Sequence, residues 1–360
     1  MPDHRDSLFL FSNLFIPRFD TKKDSTVSIP ANQVPRVCVS YHSVPIRSDD
    51  APQPGYLRKG PRARVCGARS SMSAFIRQAT GRIPKSSRCA QIFNSDESKA
   101  WLTLQENCAV AIVDMTTMSI VDIKPIPHKD WSDVSQGFDA SNKDDKINLA
   151  NWNVMGMRMP DSAASYKAGD KEYIVIANEG DDKEYEWDVT NETVWAEMIR
   201  GKDVNAIGTT LAGKHPLADV NDQAKLGRLK VGKWDGLNGD GTTHDELYTM
   251  GGRSFSIIDT SDWSIAFDSG ADFEAKSSSL FGKTFNAELE EGTITTAMKD
   301  ERSDDKGPEV ESLALATQCG KTIAFVGTER TSQIFVYDIT DPKKVEFQSA
   351  IEYVSHCPRC

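Results

Sequence analysis

Three stretches of the chain share one pattern of apolar and polar positions. Residues 100–116 (AWLTLQENCAVAIVDMT), 246–260 (ELYTMGGRSFSIIDT) and 322–340 (TIAFVGTERTSQIFVYDIT) each run an apolar strand into a short polar turn. Each then enters a second strand that ends on Asp, with Thr just beyond. Apolar runs of this length, bounded by turn formers, predict β-hairpins. The closing aspartates, Asp114, Asp259 and Asp338, are short acceptors suited to turn backbone N–H groups, so they read as turn residues and not as catalytic ones. Residues 172–180 (EYIVIANEG) supply a further first strand. Asp259 and Asp338 stand 79 positions apart, close to two units of about 40, and Asp114 and Asp259 stand 145 apart, about three units with an insertion. One hairpin cannot bury both its faces, so neighbouring units must cover it. The pattern predicts an all-β chain over residues 90–355, built of four-stranded antiparallel β-propeller blades.

Residues 183–232 break the pattern and read as an insertion on one face of the blades. Within them NETVWAEMIRG predicts a short helix, capped by Thr190 or Asn191 and ended before Gly201. Asn191-Glu192-Thr193 is an N-glycosylation sequon, which makes Asn191 the candidate acceptor in a secreted chain. Residues 1–89 are rich in Pro, Arg and Ser with little periodicity, and read as an irregular, disordered extension. The apolar run at 8–16 (LFLFSNLFI) has the look of a leader core, but it lacks a basic lead and a small-residue cleavage site. Residues 356–360 form a short tail with one CxxC, Cys357 and Cys360, after His356. That falls short of the four ligands of a zinc site. The seven cysteines are irregularly spaced and form no disulfide framework.

Charge sharpens the boundary. Residues 1–90 carry 15 Lys and Arg against 6 Asp and Glu, whereas residues 91–360 carry 27 against 47. A basic extension thus meets an acidic body near Cys89. An acidic body lacks the basic stripe that nucleic acid requires. It suits cations, or basic and mineral surfaces. No apolar run reaches the length of a transmembrane segment.

The sharpest chemical signal is Asp235-Gly-Leu-Asn238-Gly-Asp240-Gly-Thr-Thr-His244-Asp245-Glu246. Alternating Asn and Asp around glycines can wrap a hard cation, so Asn238, Asp240, Asp245 and Glu246 are candidate Ca²⁺ ligands. The EF-hand register fails, because Gly241 at the glycine position puts Gly236 first and Leu247 last. The same residues read equally well as an Asn-Gly/Asp-Gly turn. His244 reads as an exposed turn histidine. Two further acidic groups follow or precede strands: Glu179 with Asp181, and Asp304, Asp305 and Glu309 in residues 300–311. These are the other candidate metal ligands, and blades that converge at one end bring them together. Arg253, Arg302 and Arg330 lie near these groups, as salt-bridge partners or as forks for an anion. No GxSxG elbow, Walker loop or HExxH motif is present.

Several long strings resemble one family. They are LTLQENCAVAIVD (102–114), GFDASNKDDKINLANWNVMGMRMPDSAASY (137–166), YIVIANEGDDKEYE (173–186), DELYTMGGRSFSIID (245–259), ERSDDKGPEVESLAL (301–315) and TIAFVGTERTSQIFVYDITDP (322–342). Together they resemble the mesenchyme-specific cell surface glycoprotein family, whose bacterial relatives carry a choice-of-anchor I domain, over roughly residues 90–350. The resemblance implies an extracellular or surface-anchored β-propeller linked to skeleton-forming cells and biomineralisation. Some bacterial relatives bear alkaline-phosphatase-like names. The chain departs from the family at Gly307-Pro-Glu-Val-Glu-Ser312, where the family has Gly-Pro-Glu-Pro-Glu-Gly, and its 235–246 loop holds fewer aspartates. Family members extend further at both ends, so the resemblance implies a partial, incomplete set of blades and a chain that is part of a longer protein.

The leading expectation is a non-catalytic, calcium-binding module that meets mineral, matrix or cell-surface components outside the cell. A second reading is a metal-dependent phosphoesterase, with Glu179, Asp181, Asp304, Asp305 and Glu309 on the metal and Arg253 or Arg302 on the phosphate. A third is a metal-free scaffold for protein–protein contacts.

Overall fold

The structure is a computed structural model. It describes residues 90–182, 184–187, 192–288 and 299–353, with only the backbone path of 184–187 and 192–195. The first blade is a meander of β1 (Gln91–Phe93), β2 (Lys99–Leu104), β3 (Ala109–Asp114) and β4 (Ser119–Pro125), antiparallel and in chain order. Two short strands follow, β5 (Lys129–Asp130) and β6 (Met155–Met157), then β7 (Pro160–Ala168) and β8 (Lys171–Asn178).

The chain then makes a long excursion, residues 179–253. It holds the antiparallel pair β9 (Glu184–Trp187) and β10 (Glu192–Ala196), and a second pair, β11 (Met198–Arg200) with a later strand. Two short helices follow, α1 (Thr209–Ala212) and α2 (Leu217–Asn221). Next come β12 (Lys230–Gly232), the partner of β11, and β13 (Tyr248–Met250), which pairs in parallel with β6. The return strands β14 (Ser254–Asp259) and β15 (Ile265–Asp268) complete the second blade, in the order β15-β14-β8-β7. After α3 (Asp272–Leu280), the third blade is again a meander: β16 (Val310–Gln318), β17 (Lys321–Thr328), β18 (Gln333–Asp338) and β19 (Glu346–Glu352).

The all-β, bladed expectation holds, with three four-stranded antiparallel sheets among the described residues. They stack face on face. Ile92, Trp101 and Val110 of the first blade pack on Ile174, Ile176 and Ile258 of the second. Val175, Ala177, Phe255 and Ile257, on the other face of the second blade, pack on Ala324, Val326, Phe335 and Tyr337 of the third. β7 runs beside both β1–β2 and β16. The middle blade is therefore buried on both faces, which is why YIVIA and FSII read as apolar runs without polar alternation. A separate core joins the excursion to the segment before β7: Trp131, Phe138 and Trp152 of that segment cluster with Leu211, Leu229 and Val231 of the excursion. Among the described residues no helix is long and apolar enough to cross a membrane.

The three closing aspartates occupy equivalent places, each ending the third strand of its blade. Asp114 accepts from the backbone N–H groups of Thr116 and Thr117 (both 2.8 Å), Asp259 from that of Ser261 (3.0 Å) and Asp338 from that of Thr340 (3.1 Å). The spacing arithmetic was misleading. Only one blade step separates Asp259 from Asp338, and the additional length lies in α3 and the segment that follows it. Two element expectations are corrected as well. Residues 246–260 are not a hairpin, because β13 and β14 belong to different sheets. NETVWAEMIRG is not a helix: residues 192–196 and 198–200 are strands, as the run Thr193-Val194-Trp195 of β-branched and aromatic residues favours. Asn191 and the residues of the CxxC lie outside the described residues.

The change of sheet occurs at Gly251, with φ +80°. There the chain crosses the end of β8 so closely that a Cβ on Gly251 would lie 2.2 Å from the carbonyl oxygen of Glu179. One on Gly180 would lie 2.2 Å from the backbone nitrogen of Gly251. Both contacts are with backbone, which cannot swing aside. Gly251→Ala is therefore expected to lower stability by at least about 2 kcal/mol, read from chemical denaturation, with Gly239→Ala, whose Cβ would meet open space, as the tolerated control.

Candidate functional site

The blade topology brings several strand ends to one place. β8 ends at Asn178, β14 begins opposite it at Ser254, β16 begins at Val310, and β17 ends opposite that at Thr328. Glu179, Arg253, Glu309, Glu329 and Arg330 extend from those ends by chain connectivity, and the turn-rich segment 299–309 lies over them. Two of the three predicted acidic groups therefore meet, as expected.

Glu309 is fully buried. Arg302 holds it with Nε at 3.0 Å and with Nη2, Arg330 with Nε at 3.2 Å, and Lys306 stands 3.6 Å away. Lys306 also pairs with Glu179 at 2.7 Å and with Asp181 at 3.5 Å. Glu179 takes a further bond from Gln105 Nε2 at 2.7 Å. Asp304 pairs with Arg228 at 2.7 Å and Arg200 at 3.0 Å. Asp305 pairs with Arg200 at 2.9 Å and Arg302 at 3.1 Å. Burial works to raise the Glu309 carboxyl, but Lys306, Arg302 and Arg330 hold it well below the usual range. Burial tends to lower Lys306, and Glu309, Glu179 and Asp181 overcome it and raise it. Glu329, beside Glu309, is pushed up by burial and then by Glu311 and Glu309.

Arg253 acts one layer away. Its guanidinium is buried over the Phe138 ring, 4.5 Å from the centroid. Nη1 donates to the Asp139 carbonyl (2.8 Å) and to Glu274 (2.7 Å), and Nη2 donates to the carbonyls of Ser303 (2.8 Å) and Asp305 (2.9 Å). It thereby ties the 299–309 segment to α3 and to the loop after Gly137. The backbone passes so near that a Cβ at Gly307, φ +60°, would lie 2.6 Å from Glu274 Oε1. Among the described residues, two acids beside this fork have no cation paired with them. Burial pushes Asp139 up to about 7, helped by Glu274 and Asp144. Burial also pushes Asp300 up to about 7, against a hydrogen bond from Ser303 and with help from Asp139, Asp144 and Glu274.

The remaining candidate ligands fold on themselves. Asp240 Oδ1 accepts from the backbone N–H groups of Thr242 (2.7 Å) and Thr243 (2.9 Å), and both threonine hydroxyls also donate to its carboxylate. These bonds hold the Asp240 carboxyl well below its ordinary value. Asn238 Oδ1 accepts from the Asp240 N–H at 3.0 Å, and Glu246 accepts from the Tyr248 hydroxyl at 2.6 Å. The Asp245 N–H donates to the Gly236 carbonyl at 2.8 Å. His244 is buried and faces the Gly232 carbonyl at 3.3 Å, which corrects the exposed-turn expectation. The cause is the backbone bridge from His244 to Ala206 and Gly208, which draws this end of the loop inward.

The sequence reading missed Lys306, Glu329, Arg200, Arg228 and Glu274. Lys306 lies inside an acidic run, and the sequence alone does not say which of the acids it pairs with. Arg200 and Arg228 come from the excursion, about 75 to 105 positions from their partners, and a single sequence carries no signal for that pairing.

A profile of the choice-of-anchor I domain matches residues 91–342. The chain belongs to the choice-of-anchor I domain family. Gigasin-3a of Magallana gigas is 39% identical over 126 residues, 35% of this chain and 44% of that protein. Mesenchyme-specific cell surface glycoprotein of Strongylocentrotus purpuratus is 27% identical over 248 residues, 61% of this chain and 30% of that protein. The choice-of-anchor I chain thus spans less than half the length of these curated relatives. Among solved structures it is similar to the β-propeller domain of Myceliophteria thermophila Cps50 (Swd1), at 12% identity and TM-score 0.19, over 76% of this chain and 74% of that one. It is also similar to dihydro-heme d1 dehydrogenase NirN, at 7% identity and TM-score 0.21, over 73% and 37%.

Two outcomes follow for this family member. Arg253→Lys removes the fork while keeping the charge, and is expected to cost about 3–5 kcal/mol in denaturant unfolding. Asp139 and Asp300 bind protons in the folded chain that the unfolded chain, with carboxyls near 3.8, has already lost. Their contribution is therefore present below about pH 4 and lost as pH rises through about 7. Asp300→Asn is expected to give a shallower fall in melting temperature between pH 4 and pH 8 than the wild type, and an equal slope would refute the assignment.

Proposed function

We propose that this chain is a non-catalytic module of an extracellular or cell-surface protein, and that it works by contact with mineral, matrix or cell-surface components. The observation that carries this is the state of the candidate chemistry. Glu179, Asp304, Asp305, Glu309, Arg253, Arg302 and Arg330 are each engaged by a charged partner inside the protein. A hydrolytic site needs carboxylates open to a metal and arginines open to a phosphate. Membership of the choice-of-anchor I family, and a relative described as a cell surface glycoprotein, support the location. The acidic excess of residues 91–360 supports a basic or mineral partner.

Calcium is judged against the same geometry. Glu179, Glu309 and Glu329 each bring one carboxylate oxygen within 4.8 Å of the others. Calcium takes six to eight oxygen ligands. Here the Lys306 ammonium already lies 2.7 Å from Glu179 and 3.6 Å from Glu309, so an ion would have to displace it. In our reading Lys306 serves as the resident cation. Calorimetric calcium titration and melting in calcium or chelator test this on wild type and Lys306→Ala. The expected result is a wild type that melts alike in both, and a destabilised variant that calcium partly restores. Stoichiometric calcium uptake that raises the wild-type melting temperature would overturn the lysine's role. Turnover of a chromogenic phosphate ester would overturn the non-catalytic reading.

A further inference from the structure

The first and second blades do not close on each other along their whole length. Their shared interior is apolar where Trp101 and Val110 meet Ile174 and Ile258. Towards the outer strands and the turn after β14 it opens into a cleft of about 280 Å³. Trp101, Ile112 and Asp122 stand side by side across β2, β3 and β4, so they share one face of the first blade. Lys99 and Lys124, two positions from Trp101 and Asp122, lie on that same face. Across the cleft are Glu172, at the start of β8, and Trp263, in the turn after β14. That turn is fastened to β8, because Thr260 Oγ1 donates to the Glu172 carbonyl at 2.9 Å.

The lining has an apolar and a polar part. Trp263 packs against the apolar interior and yet stays half-buried, lining the cleft as well. It stands at φ +62°, a left-handed conformation that suits Gly or Asn and strains a bulky residue. Its turn holds it there: the Trp263 N–H donates to the Asp259 carbonyl at 2.8 Å, and the Asp259 N–H to the Ser264 carbonyl at 3.0 Å. A large ring kept in a strained position at a cavity wall points to a task for the ring. The polar part is balanced, with Asp122 and Glu172 against Lys99 and Lys124. Asp122 and Lys124 pair with each other at 2.8 Å, but their side chains stay 47% and 36% exposed, and such a pair opens at little cost. Ser95 occupies one oxygen of Glu172, through its N–H at 2.9 Å and its hydroxyl at 2.6 Å.

These two parts select the ligand. Two charges of each sign favour neither an anion nor a cation, and an apolar molecule would strip water from all four without replacing it. A neutral sugar ring meets both demands. Its C–H face lies on an indole, and the hydroxyls around its edge donate to carboxylates and accept from ammonium groups. The volume is at the lower end of ligand pockets, as one ring requires. We propose that the cleft binds one neutral sugar residue of a matrix or cell-surface glycan. Trp263 lies under the ring, Glu172 and Asp122 accept from its hydroxyls, and Lys99 and Lys124 donate to them. The sugar site deepens the reading of this chain as a surface-contact module and rests on it.

Tryptophan fluorescence and saturation-transfer NMR on the full 360-residue chain test this, with the methyl glycosides of glucose, galactose, mannose and N-acetylglucosamine up to about 50 mM. At least one glycoside is expected to bind, with a dissociation constant on the order of 1 mM. Trp263→Ala and Glu172→Gln are each expected to weaken it by about tenfold or more. Glu172→Gln keeps an oxygen for Ser95, so it is expected to retain the wild-type melting temperature. Trp234→Ala, at an exposed indole outside the cleft, is expected to bind as the wild type does. Binding of none of these glycosides, or binding that ignores both cleft substitutions, would overturn the proposal. Adhesion to calcium carbonate powder and to collagen is read in parallel. A chain that adheres but binds no glycoside loses only the sugar site, and one that does neither loses the surface-contact reading as well.

Discussion

A carboxylate with no exposure to water, such as that of Glu309, is tolerated only when cations and donors replace its hydration. Here three cations do so: Arg302 from the preceding turn, Lys306 from the same turn, and Arg330 from beyond β17. Each brings its segment to the end of the blade stack. Lys306 then reaches Glu179 at the end of β8, so the charge balance of one residue couples the second blade to the third. Removing either sign leaves the other buried and uncompensated, which is a greater penalty than losing an exposed pair. The network is a condition for the 299–309 segment to lie where it does.

The second constraint is coverage of sheet faces. The middle blade is completed only after the chain has left at Glu179 and returned at Ser254, so its two central strands are distant in sequence and adjacent in space. Nothing in the excursion substitutes for that pairing. Its core is shared with the segment before β7, whose Trp131 and Trp152 cluster with Val231. Arg200 and Arg228 then reach from it to Asp304. The excursion is thus fastened to the blade end by charge and fills its interior by apolar packing.

The blades were legible because strand composition is local. YIVIA, FSII, IAFV and IFVY announce themselves, and an Asp followed by Thr or Ser marks the same turn in each blade. What hid was pairing. Gly251-Gly252 looked like a hairpin turn because glycine favours turns, yet here it permits a close crossing between two sheets. A regular count of about 40 failed because the extra chain was unevenly placed. In the candidate site, residue identity was readable but charge partnership was not. Asn-Gly-Asp-Gly serves turns and ions alike, and in this fold the Asp240 oxygens accept from the two following threonines.

The same electrostatics bear on what the acidic surface is for. Inside the strand-end network, carboxylates are matched by arginines and lysines and their field is largely cancelled at short range. The excess of 47 acids over 27 bases in residues 91–360 therefore lies mostly outside it. Exposed charges act weakly at any one contact and are screened within about 10 Å at moderate salt. They act together when a partner presents many opposite charges at once, as a mineral lattice or a basic matrix does. On the proposed reading, acids paired inside the strand-end network and an acidic excess outside it suit contact over an area better than hydrolysis at one point, which needs carboxylates open to a metal.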